Sequence, residues 1–196
     1  MRTITITGAP SSDVLEALAA SLRRGQIVLL PTDTIYGLHA IAGNEDAVKK
    51  IAALKERDES KRFVVIAAST DQLLEYGAAV PDVLRSVWPA PLTAVVPHPE
   101  GSVAVRVPDL PWLRALLEQT GPLVSTSANR SGEPPVREPS QLAHELQEKI
   151  DLALDAGSCE GKPSTIVDFT RDEPCLIREG EPTFAQFLRK TLRKTL

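Results

Sequence analysis

The chain has 196 residues, 42% of them hydrophobic and 24% charged, with a formal net charge of −4. This composition is typical of a soluble globular protein, and we treat residues 1–196 as one domain with a core at about 12–180. The negative net charge argues against a protein that binds nucleic acid over its whole surface. It is compatible with a local basic cleft.

The N-terminal residues carry no signal for export or membrane insertion. Residues 1–7 alternate as in a strand, and no run approaches the roughly 18 apolar residues of a membrane span. We therefore expect a cytoplasmic protein with no membrane contact. The two cysteines, Cys159 and Cys175, are too few and too distant for a disulfide framework or metal knuckle, so we expect reduced thiols.

Apolar periodicity predicts helices along the whole chain. Ser12 or Asp13 can cap the first helix, with Gly25 past its end, while Asn44 and Asp109 can cap two later ones. In chain order the predicted helices cover 14–22, 47–54, 69–76, 81–87, 110–119, 142–150 and a basic C-terminal helix at 183–196.

Short apolar runs predict strands between these helices. In chain order they are 1–7, 27–30, 63–67, 92–96, 103–107, 123–125, 152–154, 165–169 and 175–178. The alternation of strands and helices indicates an α/β fold. Because 92–96 and 103–107 follow each other across a polar link, we expect hairpin pairing and a mixed sheet.

Polar residues follow several strands at their carboxyl ends. Thr32, Asp33 and Thr34 come after strand 27–30, and further polar turns lie at 125–131 and 161–164. Such strand ends are where α/β sheets place ligands. Asp33 is the nearest candidate for a metal ligand, and an Asx turn explains it equally well.

Cations accompany these turns. Four lie within the loop 55–62, which is either an anion site or a solvated surface turn. Arg106, flanked by valines, must face solvent or a paired anion. Phosphate-loop, dinucleotide-fold and serine-hydrolase motifs are absent, and the three histidines lack metal spacing. Cationic and hydroxyl side chains at strand ends suit an anionic ligand. They also suit a phosphoryl or nucleotidyl transfer that works by positioning and charge stabilisation.

Six separated motifs resemble the YrdC family of threonylcarbamoyl-AMP synthases in order and spacing. They are PTDTIYGL at 31–38, KER at 55–57, WPAPLT at 88–93, VAVRVP at 103–108, STSANRSG at 125–132 and PSTIVD at 163–168. The resemblance implies one α/β domain whose twisted mixed sheet, flanked by helices, forms a deep, positively lined cavity. It also implies that L-threonine, bicarbonate and ATP react to give threonylcarbamoyl-AMP and pyrophosphate, for a transferase complex that modifies tRNA beside the anticodon.

The resemblance assigns roles residue by residue. The threonine-binding positions are Thr34, Arg106, Ser125 and Ser164. The ATP-binding positions are Arg57, Lys61, Ser102, Ser127 and Arg178. The candidates for catalysis are Lys55, Arg57, Lys61 and Asn129. Mg²⁺ is expected to accompany the triphosphate, with no dedicated protein metal site.

Three residues depart from the family pattern. Asp58 and Arg62 stand where the basic loop commonly has proline or a small residue, and His39 replaces a glycine. We interpret His39 as a loop histidine without a catalytic part. The alternative function is a paralogue of the same fold that binds nucleotide or double-stranded RNA without synthase activity, and contact with tRNA is left open. The chain resembles the short, single-domain form.

Overall fold

The computed structural model describes residues 1–56, 63–130 and 132–180. Within them the chain forms ten strands. These are β1 Arg2–Thr5, β2 Val28–Pro31, β3 Tyr36–Ile41, β4 Val64–Ile66, β5 Leu92–His98, β6 Gly101–Arg106, β7 Leu123–Ser127, β8 Leu152–Asp155, β9 Thr165–Asp168 and β10 Cys175–Arg178. The helices are α1 Ser12–Arg23, α2 Glu45–Leu54, α3 Thr70–Glu75, α4 Asp82–Arg85, α5 Pro111–Thr120 and α6 His144–Gln147, with a short 3-10 helix at Pro139–Gln141.

All ten strands join one mixed sheet, so the expected α/β fold with a mixed sheet is confirmed. Their order is β1-β8-β2-β3-β7-β4-β6-β5-β9-β10. Four neighbouring pairs run parallel: β1 with β8, β2 with β8, β4 with β6, and β5 with β9. The other pairs are antiparallel, including the predicted β5–β6 hairpin.

Alternation along the strands divides the core between the two sheet faces. On β2, Val28 and Leu30 belong to a cluster with α1 and α5, whereas Leu29 belongs to a second cluster with α2, α3, α4 and α6. On β7, Leu123 joins the α1 and α5 cluster, so Ser125, two residues later, lies on the same face. This face carries the candidate site.

Several predicted details are wrong. The N-cap of α1 is Ser11, whose side chain accepts from the Val14 amide at 3.4 Å, not Ser12 or Asp13. Leu110, not Asp109, is the N-cap of α5. The helix expected at 142–150 is shortened to α6, His144–Gln147, and the 3-10 helix Pro139–Gln141 precedes it. Strand β3 was not predicted. The predicted helix at 183–196 lies outside the described residues.

Candidate functional site

The turn between β2 and β3 is held by its own hydrogen bonds. The hydroxyl of Thr32 donates to the Ile35 carbonyl at 2.8 Å and accepts from the Thr34 amide at 3.2 Å. The hydroxyls of Thr32 and Thr34 lie 2.9 Å apart. These bonds fix the Thr34 side chain, which is 2% exposed, against the neighbouring strand end.

Arg106 ends β6 beside this turn and is only 6% exposed. One terminal nitrogen pairs with the Asp33 carboxylate, and the other donates to the Thr34 hydroxyl at 3.0 Å. The second Asp33 oxygen accepts from the Asp109 amide at 3.0 Å. Asp33 therefore serves as the counterion of Arg106. Among the described residues, the buried Nε of Arg106 has no hydrogen-bond partner.

The opposite wall is formed by the residues around β9 and β10. Arg178 donates to the Ser164 carbonyl from Nε at 3.1 Å and from a terminal nitrogen at 2.9 Å. The hydroxyls of Ser164 and Thr93 are 2.8 Å apart. Burial, and then the positive charge of Arg106, lower the pKa of the Arg178 guanidinium.

Lys55 lies at the end of α2, where it is 7% exposed. Its ammonium donates to the Ser127 carbonyl at 3.0 Å, and to the carbonyl and side-chain oxygens of Asn129 at 2.6 Å each. The Ser127 hydroxyl also donates to the Asn129 side-chain oxygen at 2.6 Å. Lys55 thus fixes the turn after β7, and Ser127 and Asn129 line the cavity.

His39 lies in β3 and is fully buried, so its interpretation as a loop histidine is wrong. Its Nε2 is 3.1 Å from the hydroxyl of Ser125, the residue directly opposite on β7. Burial, together with the charge of Arg106, lowers the pKa of His39 to about 4, although nearby carbonyl groups act in the other direction. The imidazole is therefore neutral at neutral pH.

The loop 156–164 packs onto the turn between β2 and β3. The buried Tyr36 hydroxyl donates to the Gly157 carbonyl at 2.9 Å and accepts from the Ala156 amide at 3.0 Å. The Cys159 thiol donates to the Thr34 carbonyl at 3.3 Å. A side chain on Gly161 would collide with the Thr34 backbone. Close packing therefore couples this loop to the position of Thr34.

These walls enclose a cavity of about 420 Å³ on the α1 and α5 face of the sheet. Its volume is in the range of small-ligand sites. Two guanidinium groups and several hydroxyl groups make it suited to an anionic ligand. The lining residues are Thr32, Thr34, Ile35, Gly37, Val64, Ile66, Thr93, Arg106, Ser125, Thr126, Ser127, Asn129, Glu133, Pro135, Pro163, Ser164, Ile166 and Arg178.

Most of the predicted site residues meet at this cavity. All four threonine-binding candidates line it: Thr34, Arg106, Ser125 and Ser164. Ser127, Asn129 and Arg178 also line it, whereas Lys55 is buried and outside the lining set. Ser102 is exposed on the Arg106 side of β6, four residues earlier and outside the lining set. Arg57 and Lys61, with the departures Asp58 and Arg62, lie outside the described residues.

Sequence reasoning missed four contributors to the site. The counterion role of Asp33, the hydrogen bond of His39, and the packing of Tyr36 and Gly161 all depend on partners distant in sequence. The only sequence signal was their place within or beside the quoted motifs.

The described ranges carry neither a metal cluster nor a membrane-spanning helix. In 1–56, 63–130 and 132–180 there is no group of three or more His, Cys, Asp or Glu side chains arranged to hold a metal ion. Nor does any helix in these ranges have the length and apolar character needed to span a membrane.

The fold and the cavity together define an α/β protein with an arginine-bearing polar cavity at its strand ends. The family model Sua5/YciO/YrdC, described as telomere recombination, matches residues 20–180. The chain therefore belongs to the Sua5/YciO/YrdC family.

Curated relatives agree with this membership. A threonylcarbamoyl-AMP synthase of Pseudomonas aeruginosa is 37% identical over 174 residues, covering 81% of this chain and 94% of the relative. A threonylcarbamoyl-AMP synthase of Bacillus subtilis is 35% identical over 185 residues, covering 86% of this chain. The match spans 54% of the Bacillus protein, about half its length.

Solved structures share the fold. Sua5 of P. abyssi in complex with L-threonine has a TM-score of 0.88 and 31% identity, covering 97% of this chain and 61% of that one. E. coli YciO has a TM-score of 0.80 and 23% identity, covering 92% of this chain and 95% of that one, and supports the fold alone.

Proposed function

We propose that the chain is a threonylcarbamoyl-AMP synthase, a nucleotidyltransferase that uses L-threonine, bicarbonate and ATP. The observation that carries the proposal is Arg106, a buried guanidinium held in the cavity wall among the hydroxyls of Thr34, Ser125 and Ser164. Relatives named for this activity favour it over a paralogue of the same fold that binds nucleotide or RNA without synthesis.

In this proposal the part of the cavity around Arg106 binds threonine. Arg106 offers its guanidinium to the amino acid's carboxylate, because a planar fork of N–H donors matches two carboxylate oxygens. Asp33 and Thr34 hold Arg106 in position, so little reorganisation is needed when the ligand arrives. The hydroxyls of Thr34, Ser125 and Ser164 supply further directional contacts. The structure of P. abyssi Sua5 with L-threonine supports this choice of ligand.

ATP would bind over Ser127, Asn129 and Arg178, which also line the cavity. Ser102 lies on the same sheet face as Arg106, roughly 13 Å along β6, and would extend this surface. Arg57 and Lys61 remain our candidates for contacts with the phosphates. Lys55 is better suited to positioning Ser127 and Asn129 than to touching ATP, because its ammonium already donates to their oxygens.

The proposed chemistry needs no protein nucleophile. Threonine and bicarbonate condense to a carbamate with loss of water. A carbamate oxygen attacks the α-phosphorus of ATP, the bond to the β-phosphate oxygen breaks, and pyrophosphate leaves. Arginine and lysine side chains stabilise the charge that develops on the phosphate oxygens. Mg²⁺ would arrive on the ATP phosphates, and no step is assigned to a protein-held metal.

The product would pass to a tRNA-modifying threonylcarbamoyl transferase in the cytoplasm. The mixed anhydride between a carbamate and a phosphate is an activated acyl donor that water can hydrolyse. A cavity that shields it from water until transfer is therefore part of the proposal.

The decisive experiment measures pyrophosphate release by the purified protein with ATP, Mg²⁺ and bicarbonate. L-threonine is compared with L-serine and with no amino acid, and Lys50→Met, an exposed change on α2, is the control variant. We expect release that depends on threonine. Folded protein that releases no pyrophosphate under any of these conditions would contradict the proposal and favour the paralogue.

A further inference from the structure

His39 is a polar side chain in an apolar part of the fold. It is 0% exposed and lies opposite Val28 on β2, also 0% exposed, in the register of the β2–β3 pair. Its Nδ1 is buried and has no hydrogen-bond partner within the described residues. The backbone carbonyls of Gly37 and Val28 lie close enough to raise the pKa of the ring, but neither meets the geometry of a hydrogen bond to Nδ1, so an imidazole costs more at this core position than an aliphatic side chain would.

The space for the ring is created by Gly37, two residues earlier on the same face of β3. A Cβ on Gly37 would lie 2.9 Å from Cε1 of His39 and 3.1 Å from the Thr126 carbonyl oxygen. Gly37 lines the cavity, as does Ser125, the partner of His39. The glycine therefore lets the ring reach the back of the cavity wall.

We propose that His39 is a positioning residue, whose hydrogen bond to Ser125 orients that hydroxyl toward the amino acid bound in the cavity. The inference rests on the proposed function, because it takes Ser125 to be a contact of L-threonine. It assigns a role to a residue that touches no substrate.

The geometry supports this role in two ways. His39 and Ser125 are directly opposed on antiparallel strands, so the 3.1 Å bond is set by the sheet and not by a loop. If Ser125 donates, its proton points to Nε2 and its lone pairs are left for the cavity; if Nε2–H donates, it takes one lone pair of the hydroxyl, and the Ser125 O–H is left to donate into the cavity. In both cases the bond limits how the hydroxyl of Ser125, which lines the cavity, can meet a ligand.

The role is constant across the working pH range. With a pKa of about 4, the ring stays neutral from pH 6 upward and keeps the same hydrogen bond. The effect on Ser125 is therefore one of orientation, since His39 gains or loses no charge near neutral pH.

The test is a double-mutant cycle with L-threonine as the titrated ligand, measured by isothermal titration calorimetry. The proteins are wild type, His39→Leu, Ser125→Ala and the double variant, each also measured by thermal unfolding. His98→Leu is the matched control, because His98 is a partly buried strand histidine that contacts the Tyr76 carbonyl and lies outside the cavity lining.

We expect His39→Leu to weaken threonine binding about 3- to 10-fold without lowering the melting temperature, since one oriented hydrogen bond is lost and an apolar group fills the core. In the Ser125→Ala background the same change should have no effect, because the partner is gone. His98→Leu should leave threonine affinity unchanged.

Two further variants keep the test valid if His39→Leu does not fold. The amide of His39→Gln can reach Ser125, whereas His39→Asn is one methylene shorter, so glutamine should retain more affinity than asparagine. Equal affinities for these two, or a His39→Leu effect that persists in the Ser125→Ala background, would overturn the inference alone. Wild-type protein that binds no threonine would overturn the proposed function as well.

Discussion

The two halves of one sheet face carry different kinds of side chain. Over β8, β2 and β3 this face is covered by α1 and α5, and its contacts are aliphatic, as at Leu18, Leu22 and Leu113. Over β7, β6, β5 and β9 the same face bears hydroxyl and guanidinium groups around a cavity. Among the described residues, no helix residue lines the cavity, so the site forms where strand and loop residues of this face carry polar side chains in place of core contacts with α1 and α5.

The polar half is stable because its charged groups have partners within the protein. Arg106 pairs with Asp33, Arg178 donates to Ser164, and Lys55 donates to Ser127 and Asn129. Without such partners, the buried charges of Arg106 and Lys55 would cost far more than the fold could offset. The same contacts hold the site in shape before a ligand binds, which links stability to function.

The largest expected effect comes from removing Arg106. Arg106→Ala leaves the Asp33 carboxylate buried without its counterion, so we expect a loss of about 3–5 kcal/mol in the free energy of unfolding. Threonine affinity should fall about 100-fold or more. Urea unfolding and calorimetry would measure the two effects, with Arg85→Ala, an exposed arginine on α4, as the control.

A double substitution separates the free-energy cost of an unpaired buried charge from the loss of ligand binding. Arg106→Met combined with Asp33→Asn removes both charges, and we expect it to recover most of the stability but none of the threonine affinity. Equal losses of threonine and ATP binding in Arg106→Ala would indicate a collapsed cavity and not a lost carboxylate contact.

The next prediction concerns the pH dependence of stability that is due to His39, which lies where the two halves of the sheet face meet. Burial lowers the pKa of His39 from 6.5 to about 4 in the folded protein, so the unfolded chain binds a proton that the folded one does not between these values. Stability should therefore fall as the pH drops from 6.5 to 4, by at most about 3–4 kcal/mol at roughly 1.4 kcal/mol per pH unit.

Subtracting the profile of His39→Leu isolates this contribution, because the other titrating groups are common to both proteins. Denaturant unfolding at a series of pH values gives the comparison. Parallel profiles for wild type and variant would show that His39 does not resist protonation.

A smaller effect on stability and turnover is expected from removing the Lys55 ammonium. Lys55→Met removes the ammonium that donates to Ser127 and Asn129, and we expect a loss of about 2 kcal/mol in unfolding free energy. Because those residues face the proposed ATP side, pyrophosphate release should fall more than threonine affinity. Lys50→Met is the exposed control on the same helix. Unchanged turnover in Lys55→Met would exclude both a positioning and a catalytic role.

Local patterns predicted the helices and strands of both halves better than they predicted the contacts that build the site. Periodicity identified α1, α2 and nine strands, because helices and strands that bury one side carry the pattern in a single segment. It missed β3, where Gly37 and His39 interrupt the apolar run. The partners of the site cannot be found this way, since Asp33 and Arg106 are 73 residues apart, and His39 and Ser125 are 86 apart.

The resemblance to the family supplied what the local patterns lacked. It assigned Thr34, Arg106, Ser125 and Ser164 to one ligand, and the structure brings these four side chains to one cavity. It could not supply His39, because the family pattern has glycine there, so that role had to be inferred from the distances and burial around the ring.

The smallest predicted change concerns the loop that packs against the turn at the cavity. In Gly161→Ala the new methyl group would lie against the Thr34 carbonyl oxygen and 2.8 Å from its carbonyl carbon. Backbone lies on both sides of this contact, so one segment must move, at an expected cost of about 1–2 kcal/mol. If the turn moves, Thr34 shifts relative to Arg106 and threonine affinity falls; if the loop moves, stability alone falls.

Gly43→Ala, where nothing lies within 4 Å of the added atom, is the matched control for calorimetry and thermal unfolding. A Gly161→Ala protein indistinguishable from Gly43→Ala in both measurements would show that the loop is not coupled to the site.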